Sequence, residues 1–320
     1  MYIKTMEELY SVSNDFKQVF QNQFSIGISK NEVLKMKNDD ILTDRDVEIA
    51  KLLFRFTFAT LSQIYDYLKK IDKLTLKKAD TTEEVKETTI NSIHARLDKL
   101  TKNRILNKFV LVEDKDNEKI ESDAENIYCL DLGGKYLLES YSDEDTSEWF
   151  YTANLKAPII ISKKIISLTF YLSLLTNNKE SLLYFETNPL RKCERNMIIP
   201  DFEFSIRNQN IPKYFVCEIV KESDLISYLP KKMDKYERLI ETNAWKKYYD
   251  SENPPILFLI CETDLVSQAV GKLVSRRSIE KYRLSSFERI QNDLSIAFMQ
   301  YVKEADKLKQ VKLRIFDKEA

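Results

Sequence analysis

The sequence predicts a mixed α/β chain in two parts, three amphipathic helices closed by a strand hairpin and then a larger α/β domain. Three observations carry this. Helix-capping signals punctuate residues 43–102, two strand-like runs follow at 105–112 and 127–132, and beyond residue 162 helical periodicity alternates with short apolar strands. The 320 residues fit about two domains at the usual size. An apolar content of 43% supplies a sizeable core.

Residues 1–40 read as a polar N-terminal helical arm. Thr43 to Asp46 (TDRD) is a variant capping box, and its helix carries Ile49, Leu52, Leu53 and Phe56. Thr60 to Gln63 (TLSQ) is a second capping box, opening a helix with Ile64 and Leu68. A polar stretch over 77–84 precedes a third helix at 88–102, whose apolar stripe is Ile90, Ile93, Leu97 and Leu100. The two strands follow, joined by a charged connector at 113–125. Gly133-Gly134 ends the second strand, and a short helix covers 135–141. This order, over 41–145, is that of a winged helix-turn-helix, whose third helix enters the major groove and whose hairpin is the wing. With the stripe turned inward, the outer face presents Thr88, Asn91, Ala95, Lys99 and Lys102, flanked by Ser92 and Arg96. From Lys86 to Lys108 there are six cations and two acids. The expected DNA contacts are Thr88, Asn91, Ser92, Arg96, Lys99, Lys102 and Arg104, the polar residues at base edges and the later cations at phosphates. A solvated helix face is the competing reading.

A linker at 146–161 leads to a domain at 162–320. A helix is expected at 162–176, strands at 182–186, 197–206, 214–220 and 256–261, helices at 230–249 and 284–307, and a last strand at 311–316. Within it, Pro200 to Ile206 and Lys213 to Lys221 read as a hairpin. Pairing Ile206 with Lys213 places Asp201 opposite Glu218, at a Cβ separation of about 4.5–5.5 Å. One face is then Phe202, Phe204, Ile206, Phe215, Cys217 and Ile219, and must be core. The other carries Asp201, Glu203, Tyr214 and Glu218. Opposed carboxylates need a cation between them, either a divalent metal such as Mg²⁺ or a lysine or arginine from a neighbouring helix.

Composition narrows the functions. Net charge is −1, with 32% charged residues and four glycines, which argues against a histone-like protein but allows a local basic face. No apolar run reaches about 18 residues, so no transmembrane helix is expected. The acidic start lacks the apolar core of a signal peptide. Cys129, Cys193, Cys217 and Cys261 have no CxxC spacing and read as free buried thiols of a cytoplasmic protein. His94 is the only histidine, so histidine-rich metal sites and a tyrosine relaxase with a three-histidine metal centre are excluded. P-loop and Rossmann glycine patterns are absent.

Pro200-Asp201 followed by Glu218-Ile219-Val220 resembles the PD-(D/E)xK nuclease core, which implies a restriction-endonuclease-like α/β/α sandwich with Asp201 and Glu218 as metal ligands. Val220 stands where that core has its catalytic lysine. Lys221 points to the opposite face, and Lys232, one turn before Tyr236 on the following helix, is the candidate substitute. Together with Thr43 to Asp46, Tyr128 to Gly133 (YCLDLG), Tyr214 to Ile219 (YFVCEI) and Lys232 to Tyr236, the chain resembles the replication-relaxation protein family over about residues 41–262. The resemblance implies an accessory role in DNA processing on plasmids and conjugative elements, with double-stranded DNA and a relaxase or replication initiator as partners. Three readings follow: a DNA-binding accessory protein with a degenerate nuclease-like domain (Asp201, Glu218 and Lys232 without turnover), an Mg²⁺-dependent endonuclease, and a transcriptional regulator whose second domain senses a ligand or forms a homodimer.

Overall fold

A computed structural model describes residues 2–24, 27–71, 89–114, 124–193, 196–208 and 211–312. The chain is a mixed α/β protein of two compact units, Met1–Leu168 and Thr169–Ala320.

The first unit begins with α1 (Met6–Tyr10), β1 (Phe16–Phe20) and α2 (Lys30–Asn38). Residues 1–40 are therefore not a helical arm: β1 pairs antiparallel with the later hairpin from Phe16↔Glu113 to Phe20↔Phe109. The pairing spans about ninety residues of sequence, and a five-residue strand carries too short a pattern to announce it. Next come α3 (Asp44–Phe56), the two-residue β2 (Ala59–Thr60), α4 (Leu61–Lys70) and α5 (Ile90–Lys102). Both capping boxes form. Asp46 accepts from Thr43 N at 2.6 Å and Thr43 Oγ1 at 2.9 Å. Thr60 N donates to Gln63 Oε1 at 3.1 Å, and Gln63 N to Thr60 Oγ1 at 3.4 Å. The hairpin is β3 (Leu106–Glu113) and β4 (Ile127–Leu130), and β2 joins β4 to complete the order β1-β3-β4-β2.

α6 (Leu132–Tyr141) starts on an Asp131 cap, so Gly133-Gly134 lies inside a helix rather than ending a strand. The glycines answer to close approach: a Cβ at Gly133 would sit 2.6 Å from Arg104 O, and one at Gly134 2.4 Å from Ile105 O. The expected linker is also structured. Thr146 and Asn154 are buried, and Asn154 Nδ2 donates to Leu130 O at 2.8 Å. α7 (Pro158–Asn178) starts four residues before the expected helix and continues past the boundary between the units. Despite its two lysines, its Pro158–Thr176 stretch is long and apolar enough to cross a membrane by length and composition, contrary to expectation, and 56% of it is buried within the protein.

The second unit holds β5 (Leu182–Thr187), the small hairpin β6 (Arg191–Cys193) and β7 (Asn196–Ile198), β8 (Phe202–Asn208), β9 (Ile211–Val220), α8 (Tyr228–Glu241), β10 (Ile256–Cys261), α9 (Asp264–Val274), β11 (Tyr282–Ser286), α10 (Phe287–Asn292), β12 (Met299–Val302) and β13 (Lys307–Gln310). Among the described residues one sheet runs β13-β12-β11-β10-β9-β8-β5. β9, β10 and β11 are parallel, connected through α8 and α9, and the flanking strands are antiparallel. Phe170 of α7 packs on Phe202, Phe204 and Phe258 on one face. On the other, Met233 and Leu239 of α8 and Val270 and Val274 of α9 share a buried cluster with Val216, Leu259 and Leu284. Helices on both faces make the central strands apolar throughout, as in β10 (ILFLIC).

No long helix covers 284–307. Met299 and Tyr301 face inward while Gln300 and Val302 are half-exposed, a period-2 pattern too short to compete with the helix-compatible residues around it. α9 was also unforeseen, although Thr263 caps it by accepting from Val266 N at 3.2 Å. β13 lies just before the strand expected at 311–316, of which residues 313–316 lie outside the described residues. The four cysteines are free and buried.

Candidate functional site

The β8–β9 hairpin forms in the expected register, with Ile206↔Lys213, Phe204↔Phe215 and Phe202↔Cys217. Phe202, Phe204, Ile206, Phe215, Cys217 and Ile219 are all buried. Asp201 extends the ladder by one residue: its N–H donates to Cys217 O at 3.0 Å, and its Oδ2 accepts from Ile219 N at 2.7 Å. Glu218 stands next to it, 1% exposed.

The helix that covers this face brings the cation. Lys232 Nζ donates to Glu218 Oε2 at 2.5 Å and to Tyr228 Oη at 2.9 Å, and Tyr236 Oη donates to Glu218 Oε1. Lys232 and Tyr236 reach one carboxylate because four residues is one helical turn. The three residues predicted as catalytic, Asp201, Glu218 and Lys232, are thus brought together. Burial pushes the Glu218 carboxyl up to about 7, against the pull of Lys232 and reinforced by the charge of Asp201. Lys232 is disfavoured by burial but held protonated by Glu218 and Asp201, above its ordinary range.

A second buried carboxylate lies two residues along β8. Glu203 accepts from Arg191 Nη2 at 2.7 Å and from Tyr249 Oη at 2.5 Å, and Arg191 also bonds Glu186 at 2.9 Å. Burial raises the Glu203 carboxyl, opposed by Tyr249 and Arg191. Strand alternation assigns Glu203 its face but not these partners: Arg191 comes from the small β6–β7 hairpin and Tyr249 from beyond α8, and neither has a local signal. Lys221, the alternative to Lys232 in the endonuclease reading, is buried 3.7 Å from Glu262 with its Nζ over the Phe287 ring.

Magnesium takes several oxygen ligands in near-octahedral geometry, and the residues present do not fit it. Each oxygen of Glu218 already accepts a hydrogen bond, Asp201 Oδ2 is committed to a backbone N–H, and among the described residues no group of three or more His, Cys, Asp or Glu side chains is placed to hold a metal. The arrangement is a hydrogen-bonded ion pair between strand and helix. Beside it opens a cavity of about 490 Å³ lined by Met197, Ile198, Ile199, Ser227, Tyr228, Lys231, Lys232 and Lys235.

In the first unit α5 buries Ile93, Leu97 and Leu100 and exposes Asn91, Ser92, Ala95, Lys99 and Lys102. Thr88 lies outside the described residues. Two of the predicted DNA contacts are committed internally. Arg96 Nε donates to buried Asp46 at 2.8 Å and its Nη2 to Ile41 O at 2.7 Å. Arg104 pairs with Asp131 at 3.1 Å and donates to Gln23 O at 2.6 Å. Arg96 sits at the edge of the buried stripe, and Arg104, at φ 61°, turns back toward α6, so both cations are spent on fixing α5 rather than presented by it. Ser92 Oγ donates to Thr89 O at 2.7 Å, closing the first turn.

No family model matches this chain, and no curated protein does. Among solved structures, protein VC1899 from Vibrio cholerae aligns at 10% identity with a TM-score of 0.28, over 91% of this chain and 59% of that one. This chain therefore spans less than two thirds of that protein's length, and a likeness at that score carries no argument about fold or function.

Proposed function

We propose that this chain is a double-stranded DNA-binding protein whose first unit is a winged helix reading the major groove through α5, and whose second unit is a nuclease-like core that does not cleave. The observation that carries the reading is the outer face of α5. It presents small and polar groups at its start (Asn91, Ser92, Ala95) and lysines in its last turn (Lys99, Lys102), on the third helix before a hairpin. Polar residues at the start suit base edges and the cations suit phosphates. The Arg96–Asp46 pair supports it by tying α5 to α3, which fixes the reading helix before DNA arrives.

The absence of cleavage is inferred from the second unit. A phosphodiesterase of this type holds a cation on its two carboxylates and stabilises developing charge with a third group. Here Glu218 is closed by Lys232 and Tyr236, and Val220, 2% exposed in the core, replaces the strand lysine. From the resemblance to replication-relaxation proteins we infer a role in plasmid or conjugative-element DNA processing, beside a relaxase or replication initiator. Incubating supercoiled and nicked DNA with the protein and Mg²⁺ or Mn²⁺ tests this reading. Binding without cleavage is expected. Metal-dependent cleavage that Asp201→Ala/Glu218→Ala abolishes would replace it with the endonuclease reading.

A further inference from the structure

The parallel strands β9, β10 and β11 begin side by side, and their leading ends frame a second cavity of about 380 Å³ at the opposite end of β9 from Glu218. Its apolar wall includes Pro212, Pro254 and Ile256, with Tyr214 beside them, and Lys213, Lys281 and Arg283 supply the charge. Among the described residues no carboxylate lines it.

Arg283 is the unusual member. Its Nη1 donates to Tyr282 O at 2.7 Å, while its Nε is buried with no hydrogen-bond partner among the described residues. Arg96, Arg104, Arg191, Arg277 and Arg289 each hold a carboxylate. Arg283 has no ion pair among the described residues, and burial pushes its pKa down, opposed only by the Tyr282 phenol. A half-desolvated guanidinium without a counter-charge works against folding. Its planar fork matches a phosphate in two-point geometry, and flanking lysines add charge without competing acids. Lys281 is held toward the site by Asn253 Oδ1 at 2.6 Å. The cavity is far larger than a phosphate and falls within the roughly 300–1,000 Å³ of small-molecule sites. Its apolar wall fits a planar ring better than a second charged group.

We propose that this cavity binds a nucleoside monophosphate group, either free or as the 5′-terminal nucleotide of a strand, with its phosphate on Arg283 between Lys213 and Lys281 and its base against Pro254 and Ile256. The site is independent of α5 and of the Glu218–Lys232 pair. Calorimetric titration of the full chain with AMP, adenosine, inorganic phosphate, and a short oligonucleotide with or without a 5′-phosphate tests it. Binding of AMP more tightly than adenosine, or of the phosphorylated oligonucleotide more tightly than its unphosphorylated form, supports the site and identifies the source of the nucleotide, whereas equal binding within both pairs counts against it. Arg283→Gln should weaken that binding at least tenfold, with partial recovery in Arg283→Lys. Arg283→Gln should also melt no lower than wild type without ligand, because an uncompensated charge is removed, and AMP should raise the melting temperature of wild type alone. If Arg283→Gln does not fold, Arg283→Lys and Lys281→Gln must each weaken binding. No binding of either nucleotide form, inorganic phosphate binding as tightly as AMP, or unchanged affinity in the variants would overturn the proposal.

Discussion

Replacing Lys232 with methionine keeps most of the buried stem and removes the ammonium 2.5 Å from Glu218. Glu218 is 1% exposed and Lys232 8%, so the substitution leaves a buried carboxylate without its counter-charge. Breaking a buried pair by deleting one partner costs about 3–5 kcal/mol, and this pair sits at the full-burial end. The cost depends on pH. The folded Glu218 carboxyl is raised to about 7 from an ordinary 4.5, so between those values the folded chain holds a proton that the unfolded chain releases. Stability contributed by this group is therefore present below pH 4.5 and lost as pH rises toward 7. Lys232→Met should be most destabilising above pH 7, where the carboxylate is ionised, and the penalty should shrink toward pH 5. Glu218→Gln should flatten the pH dependence, and Glu218→Gln/Lys232→Met, which keeps an acceptor for Tyr236, should recover most of the loss. The assay is urea unfolding followed by fluorescence of Trp245, buried in the second unit, in a Trp149→Phe background. A loss under about 1 kcal/mol at pH 8, the range of an exposed pair, or one unchanged between pH 5 and 8, would refute the buried-pair reasoning.

Two further predictions concern packing. Phe204→Ala, at a fully buried ring stacked 4.5 Å from Phe215 and 5.2 Å from Phe170, should cost about 3–5 kcal/mol in the same unfolding assay. Gly134→Ala, whose Cβ would meet Ile105 O at 2.4 Å, should destabilise the first unit by about 1–3 kcal/mol, read from the far-ultraviolet melting curve, and an unchanged curve would mean α6 can move away from the strand.

What the sequence made legible was local. The Thr43 and Thr60 caps, the stripe of α5 from Ile93 to Leu100 and the β8–β9 register depend on residues close in sequence, so period and capping chemistry sufficed, although Ile90 of the expected stripe is exposed. Lys232 was found because helical spacing set it one turn from Tyr236 beside a strand already known to carry Glu218. Long-range pairings were not legible. β1 joins β3 across the whole helical region, and Glu203 finds Arg191 and Tyr249 from two separate segments. Charge was the other source of error. Arg96 and Arg104 looked like part of a basic face, but Asp46 and Asp131, each remote in sequence, turn them inward, and a count of cations along a helix does not distinguish the two fates.

Binding of DNA through α5 is the proposal on which the rest of the functional reading depends. Fluorescence anisotropy of the full chain with a labelled duplex, repeated across a salt series, tests it most directly, with wild type beside Lys99→Gln/Lys102→Gln. Each phosphate contact contributes a slope of about −0.9 in log affinity against log salt. Wild type should bind at low salt with a steep dependence, and the double variant should bind more weakly, its slope shallower by about two. Failure of wild type to bind duplex DNA at low salt, or a double variant with unchanged affinity and slope, would contradict it.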